Sequence, residues 1–340
     1  MNKKYDINEI RHLEYELSKN PYDTDLMNEL AIGYLSCSDA NGYSKVDDLL
    51  EKAYKIKPSI KTANNYAYQV ITDWLDYKEG IKILQPFINK EPKSFMPYNL
   101  IAYAYLMSKD YTKAKFYYEK AMILSQTERV EINHNLAVCE NQLNNHKKAL
   151  TLYEKSISIM DNENLSKYNK ALTHIELNQT SEIDLIVREI KESLAYKSPS
   201  AAVSNIDLAQ LYYNIRNFKK AYELLIENPS FYLQSFPELS YLLLKFNKSI
   251  FDEIANEEIE NIKTMIFDLN NPTNEEYNDY NEQERIVEIK KLRNEIETIR
   301  TLKQKLVNPP DINPSKLFKT MFLDCLFYDC KVHGTQFDDW

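Results

Sequence analysis

Residues 98–121 read Y-N-L-I-A-Y-A-Y-L-M-S-K-D-Y-T-K-A-K-F-Y-Y-E-K-A. Tyr98, Ile101, Ala102 and Tyr105 recur at helical spacing, and so do Ala114, Tyr118 and Ala121, so each set marks one face of a short helix. The turn between them, Met107–Asp110, is too short for anything but an antiparallel pair. Ala102 and Ala114 are small where the two helices must approach closely.

Outward from this hairpin the same small residues return. In the first helix of each pair they are Ala31, Ala67, Ala102, Ala137, Ala171 and Ala209, at intervals of 36, 35, 35, 34 and 38 residues. In the second helix the slot is filled by Val46, Gly80, Ala114, Ala149, Ile183 and Ala221, at intervals of 34, 34, 35, 34 and 38. Two slots that drift together define a repeat array. Prolines break the helices between pairs, at Lys57-Pro58, Glu91-Pro92 and Asn228-Pro229, with looser endings near Asp161 and at Ser198-Pro199. The first pair has a longer turn, Ser36 to Ser44, containing Asn41-Gly42. The fifth unit is the weakest, since Ile183, Val187 and Ile190 replace small and aromatic residues.

The flanks are helical as well. Residues 1–21 form a capping helix with Ile7, Ile10, Leu13 and Leu17 on one face, and the array spans residues 22–229. Residues 230–272 supply terminal helices, Glu238–Phe246 and Ser249–Leu269, which cover the open face of the last repeat. Residues 273–340 hold one long charged helix from Thr273 to Val307 and an aromatic-rich segment. Ile286, Ile289, Leu292, Ile296, Ile299, Leu302 and Leu306 make the helix's apolar seam. Packing back on the array is the favoured use of this seam, and self-association through residues 286–306 is the alternative. From Asp311 onward the density of Leu317, Phe318, Met321, Phe322, Leu323, Leu326, Phe327 and Tyr328 requires burial, and residues 334–340 read as a tail.

Composition narrows the function classes. With 4 glycines in 340 residues there is no glycine loop to cradle a phosphate, and no hairpin-rich β fold. The formal charge of −9 gives no electrostatic footprint for nucleic acid and suits a basic partner better. No apolar run reaches bilayer length, the first residues lack a signal-peptide core, and the four scattered cysteines suit reduced thiols, so a cytoplasmic protein that avoids the membrane is expected. Five histidines leave few general acid–base candidates, and paired carboxylates such as Glu257-Glu258, Glu275-Glu276 and Asp338-Asp339 sit in solvated stretches. No enzyme activity and no cofactor are expected. The sharpest metal candidate is Cys325, Cys330 and His333, but the spacing matches no common structural pattern. Two buried cysteines in an aromatic helix is the preferred reading.

The hairpins resemble the tetratricopeptide repeat family. The best match is Tyr98, Ile101, Ala102, Tyr105, Ala114, Tyr118 and Ala121; Asn133, Leu136, Ala137, Ala149 and Tyr153 follow, then Leu208, Ala209, Tyr212 and Ala221. About six repeats are covered. The resemblance implies an all-α, right-handed superhelical solenoid of antiparallel helix pairs, closed by the terminal helices and the long helix. It also implies a concave groove lined by the first helices. Transferred residue by residue, that groove would hold Met96, Asn99, Tyr103, Leu106, Glu131, His134, Val138, Asn141, Tyr168, Gln210 and Tyr213. A carboxylate clamp for chaperone tails is excluded. Asn135 and Asn169 fit its amide part, but Met96, Leu100, Glu131 and Leu165 stand where cations are needed.

The expected function is non-catalytic binding of a partner protein or peptide in the groove, as adaptor, chaperone or inhibitor. Composition rich in Asn, Lys, Ile and Tyr suggests a low-GC microbial source, where an immunity protein masking a toxin and a peptide-sensing regulator are the alternatives. The few residues ahead of the array disfavour the regulator. An enzyme or metal site within residues 311–340 is the remaining alternative.

Overall fold

The computed structural model describes residues 5–37, 42–160, 163–195, 203–227, 231–271 and 280–333. The expected breaks near Asp161 and at Ser198-Pro199 and Asn228-Pro229, the helix start at Thr273 with Glu275-Glu276, and the tail at 334–340 fall outside these residues. Among the described residues every regular element is helical, and no helix is long and apolar enough to cross a membrane. The chain forms two compact units, Met1–Thr173 with Phe318–Trp340, and His174–Leu317.

The first unit contains α1 (Ile7–Lys19), α2 (Thr24–Ser36), α3 (Val46–Ile56), α4 (Ile60–Thr72), α5 (Tyr77–Ile88), α6 (Met96–Met107), α7 (Tyr111–Leu124), α8 (Val130–Gln142), α9 (His146–Ile159) and most of α10 (Asn164–Glu176). Each helix packs on the next from α1 to α9, and the hairpins stack as an all-α repeat array. Ala31, Ala67, Ala102, Ala137 and Ala171 are completely buried, as are Val46, Ala114 and Ala149 in the second-helix slot. The reason for small residues is visible at Gly80. A Cβ there would lie 2.3 Å from Ile71 Cγ1 of the facing helix, inside any real contact.

The second unit contains α11 (Ile183–Ala195), α12 (Asn205–Asn214), α13 (Phe218–Leu225), α14 (Pro237–Phe246), α15 (Lys248–Asn270) and α16 (Glu282–Lys305). An Asn281/Glu284 capping box opens α16. Its 24 residues span about 36 Å rather than the roughly 50 Å of a helix begun at Thr273. Ile289, Leu292, Ile296, Ile299 and Leu302 are buried, and α16 lies against α15, with Lys303 paired to Asp252 and its ammonium over the Phe251 ring. Within the chain α15 therefore covers the middle of the seam considered for self-association, from Ile289 to Leu302, while Ile286 at its start stays exposed.

The turns inside the hairpins repeat a detail that composition hides. Leu75, Lys109, Asn144, Asn178 and Arg216 all take positive φ, between 56° and 63°. The next residue's amide then closes the helix end, as in Asp110 N to Tyr105 O at 2.9 Å and Asn145 N to Glu140 O at 2.7 Å. Asp76, Asp110 and Asn217 go on to cap the following helix by accepting from Glu79, Lys113 and Lys220 amides. Glycine is the residue suited to such a backbone, and this chain uses none there. An L side chain in the left-handed region costs about 1–2 kcal/mol, offset in part by the extra freedom glycine gives the unfolded chain. Leu75→Gly and Lys109→Gly, at exposed positions, are expected to raise unfolding free energy by about 0.5–1 kcal/mol each in urea titrations. Asn144→Gly should change it little, because asparagine tolerates this conformation. A loss of stability in all three would show that the side chains, not the backbone, govern these turns.

Candidate peptide-binding groove

Residues 318–333 are not the aromatic helix expected from their composition. They run as extended chain and turns, against the order of the repeats, over the first helices of the first unit. The contacts fix the path. Lys319 lies on α10 and α8, Met321 on α8, Phe322 on α6, Leu326 to Tyr328 on α4, and Lys331 reaches Glu29 of α2.

Three asparagines hold the backbone of this strap. Asn169 Nδ2 donates to Lys319 O at 2.7 Å while Lys319 N donates back to Asn169 Oδ1 at 3.0 Å. Asn135 does the same with Met321, at 2.9 and 2.8 Å. Asn65 does so with Tyr328, at 3.3 and 2.7 Å. A side-chain amide has one acceptor and a donor side by side, like a peptide group in a neighbouring strand, so it pairs with the N–H and C=O of one residue. Such a clamp reads extended backbone without reading the side chain. Asn64 adds a bond to Leu326 O at 2.6 Å, and the Tyr68 hydroxyl one to Asp324 O at 3.3 Å.

His134 completes the Lys319 end. Its Nε2 is 2.9 Å from Lys319 O and 3.2 Å from Asn169 Nδ2; the shorter contact is to a carbonyl that can only accept, which assigns the proton to Nε2 and leaves Nδ1 to accept from the Ser166 hydroxyl at 2.8 Å. Burial lowers the His134 pKa and keeps the ring neutral. Side chains of the strap find their own partners. The Lys319 ammonium sits 5.6 Å over the Tyr168 ring, Phe322 meets the edge of Tyr103 and Phe327 that of Tyr68. Leu323, Leu326, Phe327, Tyr328 and Cys330 are buried, and Asp329 pairs with Lys61 at 2.5 Å.

The clamps follow a register. Asn65, Asn135 and Asn169 each stand two residues before the small slots Ala67, Ala137 and Ala171. In the intervening repeat that position is Leu100, which is fully buried and has nothing to donate. Between Asn169 and Asn135 the strap advances two residues for one repeat, whereas it takes seven, Met321 to Tyr328, for the two repeats across Leu100. The slack falls where the rung is missing.

Glu131 on α8 lies buried beside Asp324 of the strap, and Arg129 Nη1, 3.9 Å from both carboxylates, is too far to hydrogen-bond either. Burial first, and the Asp324 carboxylate second, push the Glu131 carboxyl up to about 7. An acid whose pKa is raised on folding stabilises the fold when protonated. That contribution is full below the ordinary 4.5 and lost as pH rises through 7. Raising pH from 5 to 8 should therefore lower the first unit's stability by on the order of 1–2 kcal/mol, and Glu131→Gln should flatten the profile. Equal urea midpoints for the parent chain at both pH values would refute this assignment.

Of the residues expected in the groove, Tyr103, His134 and Tyr168 touch the strap, and Glu131 faces Asp324. Met96, Leu106 and Val138 are buried in the core of the array. Asn141 is structural, donating to Tyr153 Oη and Thr173 Oγ1. Asn99 is buried, and among the described residues neither of its amide atoms has a hydrogen-bond partner. Gln210 and Tyr213 belong to the second unit, where they donate to Glu238 and to Pro310 O. Asn64, Asn65 and Tyr68 were not expected at all, and Asn135 and Asn169 entered only as an incomplete carboxylate clamp. The signal that finds the rungs is asparagine two residues before the small slot. Cys325, Cys330 and His333 do come together at the far end of the strap, with donor atoms all within 4.8 Å of one another. A hydrogen bond from Cys325 brings the Cys330 thiol down to about 5, with His333 acting in the same direction against burial.

Comparison with known proteins agrees with this architecture. Residues 97–126 and 130–160 match the tetratricopeptide repeat family. A search of curated proteins found no match. Among solved structures, a tetratricopeptide repeat protein from Parabacteroides merdae is 12% identical, with a TM-score of 0.51 over 69% of this chain and 91% of that one. The MamA protein is 17% identical, with a TM-score of 0.45 over 53% of this chain and 96% of that one. YrrB, described as a tetratricopeptide repeat protein with an unusual peptide-binding site, is 16% identical, with a TM-score of 0.40 over 52% and 88%. The matched residues are the hairpins α6–α7 and α8–α9, so the chain carries tetratricopeptide repeats, set in an all-α array of helix pairs.

Proposed function

We propose that the first unit is a non-catalytic module that binds an extended peptide segment of a partner protein along α4, α6, α8 and α10, and that residues 318–333 occupy this groove as an internal ligand. The observation that carries the reading is the two-way pairing of Asn65, Asn135 and Asn169 with the backbone of the strap. Fully buried asparagines in repeated register are costly unless a backbone arrives to meet them. A partner would displace the strap by offering the same backbone, an aliphatic or aromatic residue at the Leu326 and Tyr328 places, and a cation over Tyr168 or against Glu29. That last preference suits a basic partner segment. Adaptor, chaperone and inhibitor roles all follow from such a groove.

The test is binding in trans. A chain ending at residue 313 should bind a labelled peptide of residues 316–333, and the intact chain should bind it at least tenfold more weakly because its own strap competes. Asn135→Ala with Asn169→Ala should weaken binding by the shortened chain about a hundredfold or more. A shortened chain that keeps its helical circular dichroism yet ignores the peptide, or binds it as tightly without the two asparagines, would end the proposal.

A further inference from the structure

Outside the amide clamps, one cluster of side chains has chemistry that strap binding does not use. Cys325, Cys330 and His333 come from nine consecutive residues that fold back on themselves. Asp329 takes φ 59°, and His333 N donates to Cys330 O at 3.2 Å, so a turn brings the imidazole over the second thiol. Cys330 Sγ is 3.3 Å from His333 Nδ1, and all three donor atoms lie within 4.8 Å of one another. In a tetrahedral zinc site, bonds of about 2.3 Å to sulfur and 2.0 Å to nitrogen set donor atoms roughly 3.5–3.8 Å apart. The cluster therefore needs a contraction of about 1 Å at most to close on an ion. The same three residues line a cavity of about 390 Å³ whose wall includes Tyr43, Tyr68 and Asp73, so the fourth position opens into a polar-edged space. None of the four cysteines is in a disulfide.

We propose that Cys325, Cys330 and His333 form a zinc site that ties the end of the strap into a closed loop. Two thiolates and one imidazole are a donor set that favours a borderline-soft divalent ion over magnesium or calcium. Any thiol proton still present leaves to solvent as the ion binds, and no electron is transferred. Closing residues 325–333 on an ion fixes the turn on either side of Tyr328, the residue that Asn65 clamps.

The probe is Co²⁺ added to the intact, reduced chain, with Zn²⁺ as competitor. One Co²⁺ per chain should bind with sulfur-to-cobalt charge-transfer absorption and the intense visible bands of tetrahedral cobalt, and Zn²⁺ should bleach both. Cys330→Ser should remove the charge-transfer band of that sulfur. His333→Ala, an exposed position whose replacement leaves the core intact, should weaken Co²⁺ at least tenfold. Cys37→Ser should leave the spectrum unchanged. Absence of thiolate absorption at stoichiometric cobalt, or a spectrum unmoved by His333→Ala, would overturn the site. Because the readout is the metal's own spectrum, this outcome is separate from the peptide-binding test above.

Discussion

Replacing Asn135 and Asn169 together with alanine is expected to release the Lys319–Met321 end of the strap while leaving its other end seated. Four hydrogen bonds are lost, two at each residue. Strap residues 318–321 are only half-buried, so water can reach the groups set free, and the loss is about 1 kcal/mol per bond rather than the full cost of orphaned groups. The sum, roughly 3–4 kcal/mol, is a hundredfold to a thousandfold in local opening. The direct readout is hydrogen exchange at the amides of Lys319 and Met321, which donate to the two asparagines and should be slow in the parent chain. The other end is held differently. Leu326 and Tyr328 are fully buried and Phe327 nearly so, each contributing about 1.5–3 kcal/mol by removal of apolar surface. Exchange at Tyr328 should therefore change little. If Lys319 and Met321 exchange no faster in the double variant, apolar burial alone holds the strap, and the asparagines are not its clamps.

This division of forces explains which parts were readable in the sequence. The repeats were legible because packing two helices closely imposes small residues at fixed intervals, and Ala31 through Ala171 carry that constraint locally. The clamps were written in the same register, but an asparagine on a helix face looks the same whether it meets water or a backbone. Asn135 and Asn169 match the amide part of a carboxylate clamp, and the sequence places no cations where that clamp needs them. The ligand here is mid-chain backbone with no charge to neutralise, so amides suffice. The strap was the least legible element. Its partners lie 150 to 302 residues away, and its apolar density is equally compatible with a helix. It stays extended because the array supplies the backbone partners that a helix would otherwise supply from within. Cys325, Cys330 and His333 were visible as residues, but only the turn at Asp329 brings their donor atoms together.

Asn99→Leu is expected to stabilise the first unit, the opposite sign from every other asparagine on this face. Asn64, Asn99 and His134 occupy one row, three residues before the small slots, and the outer two donate to the strap, although Asn64 Oδ1 accepts no hydrogen bond among the described residues. Asn64 donates to Leu326 O and His134 to Lys319 O. Among the described residues Asn99 has neither a donor nor an acceptor partner, and it is completely inaccessible. Its repeat is also the one where Leu100 replaces the clamp and the strap bows past in its seven-residue step. Burying an unpaired amide costs about 1–3 kcal/mol, and leucine keeps the same branched outline without that cost, its larger methyl groups taking back part of the gain. A gain of about 1–2 kcal/mol in urea unfolding is therefore expected for Asn99→Leu, against a loss of about 1 kcal/mol for Asn64→Leu, which gives up its bond to Leu326 O. Equal losses in both would mean that Asn99 finds a partner in solution, and the missing rung would then be no gap. If the gain is found, the shortened chain asks the deeper question. A displacing peptide that follows an unbroken two-residue step across α6 would bring its own backbone to Asn99, so Asn99→Leu should weaken that peptide while strengthening the fold. Under the proposed function, that pair of results would tie the unpaired amide to the register of an external segment, and the internal strap, which skips this rung, would be the weaker fit of the two.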